Sequence, residues 1–168
     1  MVSPKIVLKN KLSNARKIAL LAIGSELRGD DAAGILVARQ LDAYCGKANN
    51  DRELCIFYGS TAPENFTGEI KKFNPTHLLI IDSADSSKEP GTVSIIAPEE
   101  IGGDTFSTHR LPARIIIHYL RNFLSSEVII VGIQPKSLEF GALPSEEVQK
   151  SADFISDAIK EILQSKIM

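Results

Sequence analysis

An α/β fold is predicted: one three-layer domain with about five strands in a mostly parallel, twisted sheet, one antiparallel strand, and helices on both faces. Three observations carry this. Strand-sized apolar runs alternate with helix-period segments across residues 17–165, the order that builds βαβ units. The run Leu78-Leu79-Ile80-Ile81 has no polar alternation, as fits a strand covered on both faces. The 168 residues hold no internal repeat, low-complexity tract or linker that would divide the chain.

The elements follow in order. Ser3-Pro4 predicts a short basic helix through about residue 14, because proline suits the first helical position. Residues 1–16 therefore read as an N-terminal appendage and residues 17–168 as the single domain. Within it, strands are expected at 17–24, 53–59, 77–82, 91–97 and 127–133. Helices are expected at about 31–45, 64–73, 111–124 and 145–165. One of Asp30 and Asp31 is expected to cap the helix after the first strand. The link ADSSKEPG before strand 91–97 is too short for a helical crossover, so that strand is expected to form an antiparallel hairpin.

Composition narrows the function. With 19 basic and 21 acidic residues, a net charge of −2, no tryptophan and no basic stripe, the chain does not suit nucleic acid. Apolar runs such as HLLIID fall far short of the roughly 18–20 residues that span a bilayer, so no membrane insertion is expected. The N-terminus has no secretory h-region. Cys45 and Cys55 stand ten apart outside any CxxC pattern and read as buried thiols in a reducing cytoplasm. Oligomeric state is left open, a monomer being compatible.

Topology then gathers candidate residues. Right-handed crossovers make strands 17–24, 53–59 and 77–82 parallel, so their carboxyl ends share the edge where doubly wound sheets bind ligands. Asp31 opens the helix after the first strand, Gly59-Ser60 closes the second and Asp82 the third. The segment Ser107-Thr108-His109-Arg110-Leu111-Pro112 begins a helix that must descend from the same edge, and link 98–108 can span about 35 Å to reach it. Gln134-Pro135 arrives there too.

Asp31, Asp82 and His109 could hold a divalent metal with positions left open. Equally, the carboxylates could position a water while His109 moves the proton. Plainer roles compete: helix capping for Asp30 and Asp31, turn formation for Asp82 and especially Asp85. His109 at a helix start would oppose the dipole if charged, which suits a neutral ligand or base. His118, inside RIIIHYL, reads as a helix side chain, and His77 stands at the opposite end of its strand. There is no GxxxxGK[ST], GxGxxG or GxSxG.

These residues resemble a known family, the endopeptidases that mature the large subunit of nickel-iron hydrogenases. GSELRGDDAAG is similar to its first motif, residues 79–85 to its second, and residues 107–112 to its third. Residues 59–65 and Gly132-Ile133-Gln134-Pro135 resemble the branch serving formate-hydrogenlyase (hydrogenase-3-type) enzymes. Ser25 stands where asparagine is usual, Ala32 where glycine is frequent, and Arg28 is more polar than common.

The resemblance implies an aspartic-type endopeptidase that removes the C-terminal extension of a nickel-loaded large-subunit precursor. It implies Asp31, Asp82 and His109 as the nickel-recognition and catalytic set, with Ser25, Ser60 and Gln134 available to contact substrate. It also implies no tightly bound cofactor: nickel arrives in the substrate, and zinc or cadmium could occupy the ligands when added. Two other classes compete, a metal-binding hydrolase of small peptides and a non-catalytic partner-binding module.

Overall fold

The computed structural model describes residues 1–44, 51–101 and 112–168. Five strands form one sheet: β1 (Lys17–Ile23), β2 (Glu53–Ser60), β3 (His77–Ser83), β4 (Val93–Ile96) and β5 (Glu127–Ile133). Five α-helices accompany it: α1 (Pro4–Lys11), α2 (Ala33–Asp42), α3 (Thr67–Phe73), α4 (Pro112–Arg121) and α5 (Glu146–Gln164). The strand order is β2-β1-β3-β5-β4, with all pairs parallel except β4 against β5.

The layers follow from alternation along buried strands. In β3, Leu79 and Ile81 join one core cluster with residues of α2 and α5. Leu78 and Ile80 join the other, which holds Ile70 of α3 and Ile116, Ile117 and Leu120 of α4. Successive side chains leave a strand on opposite faces, so β3 must be apolar throughout to feed both cores. On α5, Val148, Ala152, Ile155, Ile159 and Ile162 are buried at steps of three and four residues, one stripe of the helix. Burying each such Ile or Val side chain is worth about 1.5–3 kcal/mol.

The N-terminal segment supplies α1; its Leu8 and the Leu12 that follows it are fully buried in the cluster that holds α5. Lys5 and Lys9 both pair with Glu161 of α5 at 2.7 Å. These two hydrogen-bonded ammonium groups push the Glu161 carboxyl down to about 2. Buried Arg52 gathers the chain ends, donating to the carbonyls of Leu12, Ser13 and Ala15 and to those of Ser165 and Lys166.

Three expectations need correction. Strand 91–97 is antiparallel, but its partner is β5 and not the preceding β3. The apolar β5 inserts between them because it can pair along its whole length with β3, from His77↔Glu127 to Ser83↔Ile133. The helices expected at 31–45 and 64–73 are each split, with 3-10 turns at Gly29–Ala32 and Pro63–Phe66 preceding α2 and α3. Cys55 is half-buried and not fully so, while Cys45 lies outside the described residues.

Candidate active site

Parallel pairing puts the ends of β1, β2, β3 and β5 on one edge of the sheet. The 3-10 turn Gly29–Ala32 crosses that edge and packs against β3. It delivers Asp31, 5% exposed, to the strand end that carries Asp82, 4% exposed. Gly24 makes the crossing possible. Its φ is +137°, and a Cβ there would stand 1.8 Å from the Asp31 carbonyl oxygen, so any side chain would displace the turn.

Asp31 is oriented from two sides. Its Oδ2 accepts from the Ser25 backbone N–H at 3.0 Å, and its Oδ1 accepts from the Ser83 hydroxyl at 3.1 Å. Ser83 shares the face of Ile81, beneath α2, whereas Asp82 shares the face of Ile80, beneath α4. The two carboxylates therefore bracket the carboxyl end of β3. Burying a carboxylate is costly unless hydrogen bonds or a cation compensate its charge.

The third element of the edge is α4. It is followed by β5, which starts at the lower edge, so α4 descends and its first residue, Pro112, lies at the upper edge. His109 lies outside the described residues. His118 is exposed on α4, and His77 begins β3 at the lower edge. Burial lowers the His77 pKa, against a weaker opposing pull from Glu127, whose Oε2 lies 3.6 Å from Nε2.

Asp30 has a different task from its neighbour. Neither acid caps α2: the residue at that position is Ala32, with no side-chain cap bond. The Asp30 carboxylate, 1% exposed, instead accepts from Lys136 N–H at 2.7 Å, Ser137 N–H at 3.2 Å, Ser145 N–H at 2.6 Å and Ser145 Oγ at 2.9 Å. The reason is geometric. The 3-10 turn points Asp30 away from the first helical N–H groups and into the loop between β5 and α5. Ser145, which caps α5 by accepting from Val148 N–H, was not singled out in the sequence; its signal was Ser145 followed by the acidic first turn Glu146-Glu147.

The residues expected to touch substrate divide. Ser25 is half-buried beside Asp31 and gives it the N–H bond. Ser60 ends β2 with φ +49°, and its carbonyl receives the Gly24 N–H at 3.0 Å. Gln134 is turned inward. Its Oε1 accepts from Ser86 N–H at 2.7 Å and Lys88 N–H at 3.3 Å, and its Nε2 donates to Asp85 at 3.1 Å. Its amide holds the loop after β3. Asp85 also accepts from Ser87 N–H at 2.9 Å, the turn role expected of it.

Asp31 and Asp82 thus stand at the edge where α/β sheets bind ligands, and comparison with known proteins gives the family. Residues 35–165 match the family model described as HycI, hydrogenase maturation protease. The chain belongs to that family and is a hydrolase. It is 43% identical over 163 residues to a protein of Methanocaldococcus jannaschii provisionally named a hydrogenase maturation protease, covering 95% of this chain and 96% of that one. It is 38% identical over 123 residues to the hydrogenase 3 maturation protease of Escherichia coli K12, covering 72% and 74% of the two chains. The crystal structure of the NiFe hydrogenase maturation protease HycI from Thermococcus kodakarensis superposes with a TM-score of 0.84 at 32% identity, covering 94% of this chain and 98% of that one.

Proposed function

We propose that this protein removes the C-terminal extension of a nickel-iron hydrogenase large-subunit precursor after nickel insertion, with Asp31, Asp82 and His109 reading the nickel that the precursor carries. The observation that supports this most is the pair of buried acids bracketing the end of β3, 5% and 4% exposed. Such a pair is strongly biased toward a cation. The start of α4 at the same edge favours His109 as third member, since it stands three positions before Pro112, a reach of about 10 Å.

The chemistry assigned to the chain is hydrolysis of one peptide bond. Water adds through its oxygen to the scissile carbonyl carbon, the C–N bond breaks, and the departing amine takes a proton. A substrate-borne nickel ion would polarise the carbonyl or acidify the water. Asp31 is suited to receive the water proton because the Ser25 N–H and Ser83 hydroxyl fix its orientation. The formate-hydrogenlyase branch is the proposed context, and no helix among the described residues is long and apolar enough to cross a membrane.

The test is incubation of the purified chain with nickel-loaded and nickel-free full-length precursor. Cleavage of the loaded form alone is expected, lost in Asp31→Ala and Asp82→Ala while circular dichroism is unchanged. Equal cleavage of both forms would overturn nickel reading, and unchanged cleavage in either variant would overturn the carboxylate pair.

A further inference from the structure

The loop 135–145 between β5 and α5 carries the wrong side chains for a solvent-facing connection. Loops at the surface are ordinarily polar, yet here Phe140 is 75% exposed and Leu143 87% exposed. Leu27, 64% exposed, lies across from them on segment 25–30. The two segments are laced together by backbone bonds: Gly141 N–H to the Leu27 carbonyl at 2.8 Å, Gly29 N–H to that of Ala142 at 3.1 Å, and Asp30 N–H to that of Ser137 at 2.9 Å. Gly29 permits this approach, with φ +53° and only 2.7 Å between a would-be Cβ and the Ser137 carbonyl oxygen. The four bonds accepted by the Asp30 carboxylate complete the tether.

We propose that Leu27, Phe140 and Leu143 form a docking platform that seats an apolar segment of the precursor next to Asp31, with Asp30 as the residue that positions it. The inference rests on the proposed function above. Continuity with the active edge identifies the occupant: the loop is anchored on Asp30, and the next residue in the chain is Asp31. Segment 25–30 bonds to both sides, to the Asp31 carboxylate through Ser25 N–H and to the loop through Leu27 and Gly29, so a substrate that presents one bond to Asp31 has this surface beside it.

Of the nearby charges, Lys136 pairs with Glu147 at 2.8 Å, Arg39 pairs with Glu26, and the Arg28 Nε–H donates to the Leu138 carbonyl at 3.4 Å. The platform itself offers a partner three exposed apolar side chains. Large exposed apolar side chains on an otherwise charged surface mark interaction sites, and phenylalanine is enriched in the buried centre of interfaces. Because the backbone is held by hydrogen bonds before any partner arrives, little ordering entropy is lost on docking.

Binding and turnover of fluorescently labelled, nickel-loaded full-length precursor are measured separately for the wild type, the double variant Phe140→Ser with Leu143→Ser, and Phe123→Ser. Phe123 is 58% exposed just past α4 toward the lower edge and serves as the control. The double variant is expected to weaken binding and raise KM about tenfold or more, with kcat within about twofold, while Phe123→Ser matches the wild type. Unchanged binding in the double variant, an equal loss in Phe123→Ser, or an effect on self-association alone would overturn the platform. If the wild type binds the precursor without cleaving it, the protease reading falls and the platform is still judged by the binding ratio. If the wild type does not bind it, both fall.

Discussion

Replacing Asp30 with asparagine keeps the shape of the side chain and removes its charge. In the native protein one carboxylate oxygen receives Ser145 N–H, and the other receives Lys136 N–H, Ser137 N–H and the Ser145 hydroxyl. An asparagine oxygen can face only one of these sets, so at least one donor meets an NH₂ group and is left without an acceptor. The others lose charge assistance, which makes a hydrogen bond roughly twice as strong. Taking about 1.5 kcal/mol for each charge-assisted bond to this buried carboxylate, one outright loss and three halvings come to about 4 kcal/mol. For a chain of this size that lowers Tm by about 8–15 °C. Thermal unfolding by circular dichroism measures the total, and amide hydrogen exchange localises it, with Lys136, Ser137 and Ser145 expected to lose protection while the β1–β3 core keeps it. A Tm within about 2 °C of the wild type and unaltered protection at those three amides would refute the assignment of Asp30 as the tether.

The remaining predictions concern the histidines and the metal. His109→Ala is expected to remove nickel-dependent processing, whereas His118→Gln, exposed and about 9 Å down α4 from Pro112, retains most of it; precursor cleavage distinguishes them, and equal loss in both would discard the third ligand. His77 stands about 17 Å along β3 from Asp82 and should also be dispensable for turnover. It contributes instead to pH dependence. Because burial lowers its folded-state pKa below the ordinary value of 6.5, the unfolded chain binds the proton first, so stability falls as pH drops below about 6.5 toward the depressed value. Urea unfolding at stepped pH should show that slope in the wild type and lose it in His77→Gln. Elemental analysis of the purified protein is expected to find little nickel after dialysis against chelator, and one retained equivalent would favour a resident metal over one carried by the substrate.

How much of this was legible before folding varies with the range of the forces involved. All five strands stand within a few residues of their expected limits, because the apolar runs and the alternation of strand-sized and helix-sized segments are local properties of the chain. The edge that gathers Asp31 and Asp82 was legible as well. Right-handed crossovers and parallel pairing leave little choice about where strand ends go. The sequence pattern could not tell which strand β4 would join. That depended on whether β5 gained more by pairing along all of β3 than β4 did by closing a hairpin, a competition between segments about thirty residues apart.

The acidic pair shows the same division at the scale of one turn. Asp30 and Asp31 are adjacent, alike in charge, and equally suited on paper to cap a helix. Only the 3-10 turn, held down where Gly24 leaves room for the Asp31 carbonyl, separates them. It sends Asp31 toward Ser83 and the end of β3, and Asp30 into the loop 136–145. Gln134 likewise carries no mark in the sequence that its amide bonds Asp85 and Ser86. Composition and periodicity report what a residue can do. The direction in which a buried side chain points is decided by partners far along the chain, about fifty positions away for Asp31 and Gln134 and more than a hundred for Asp30, because a buried polar group settles wherever its hydrogen bonds can all be made.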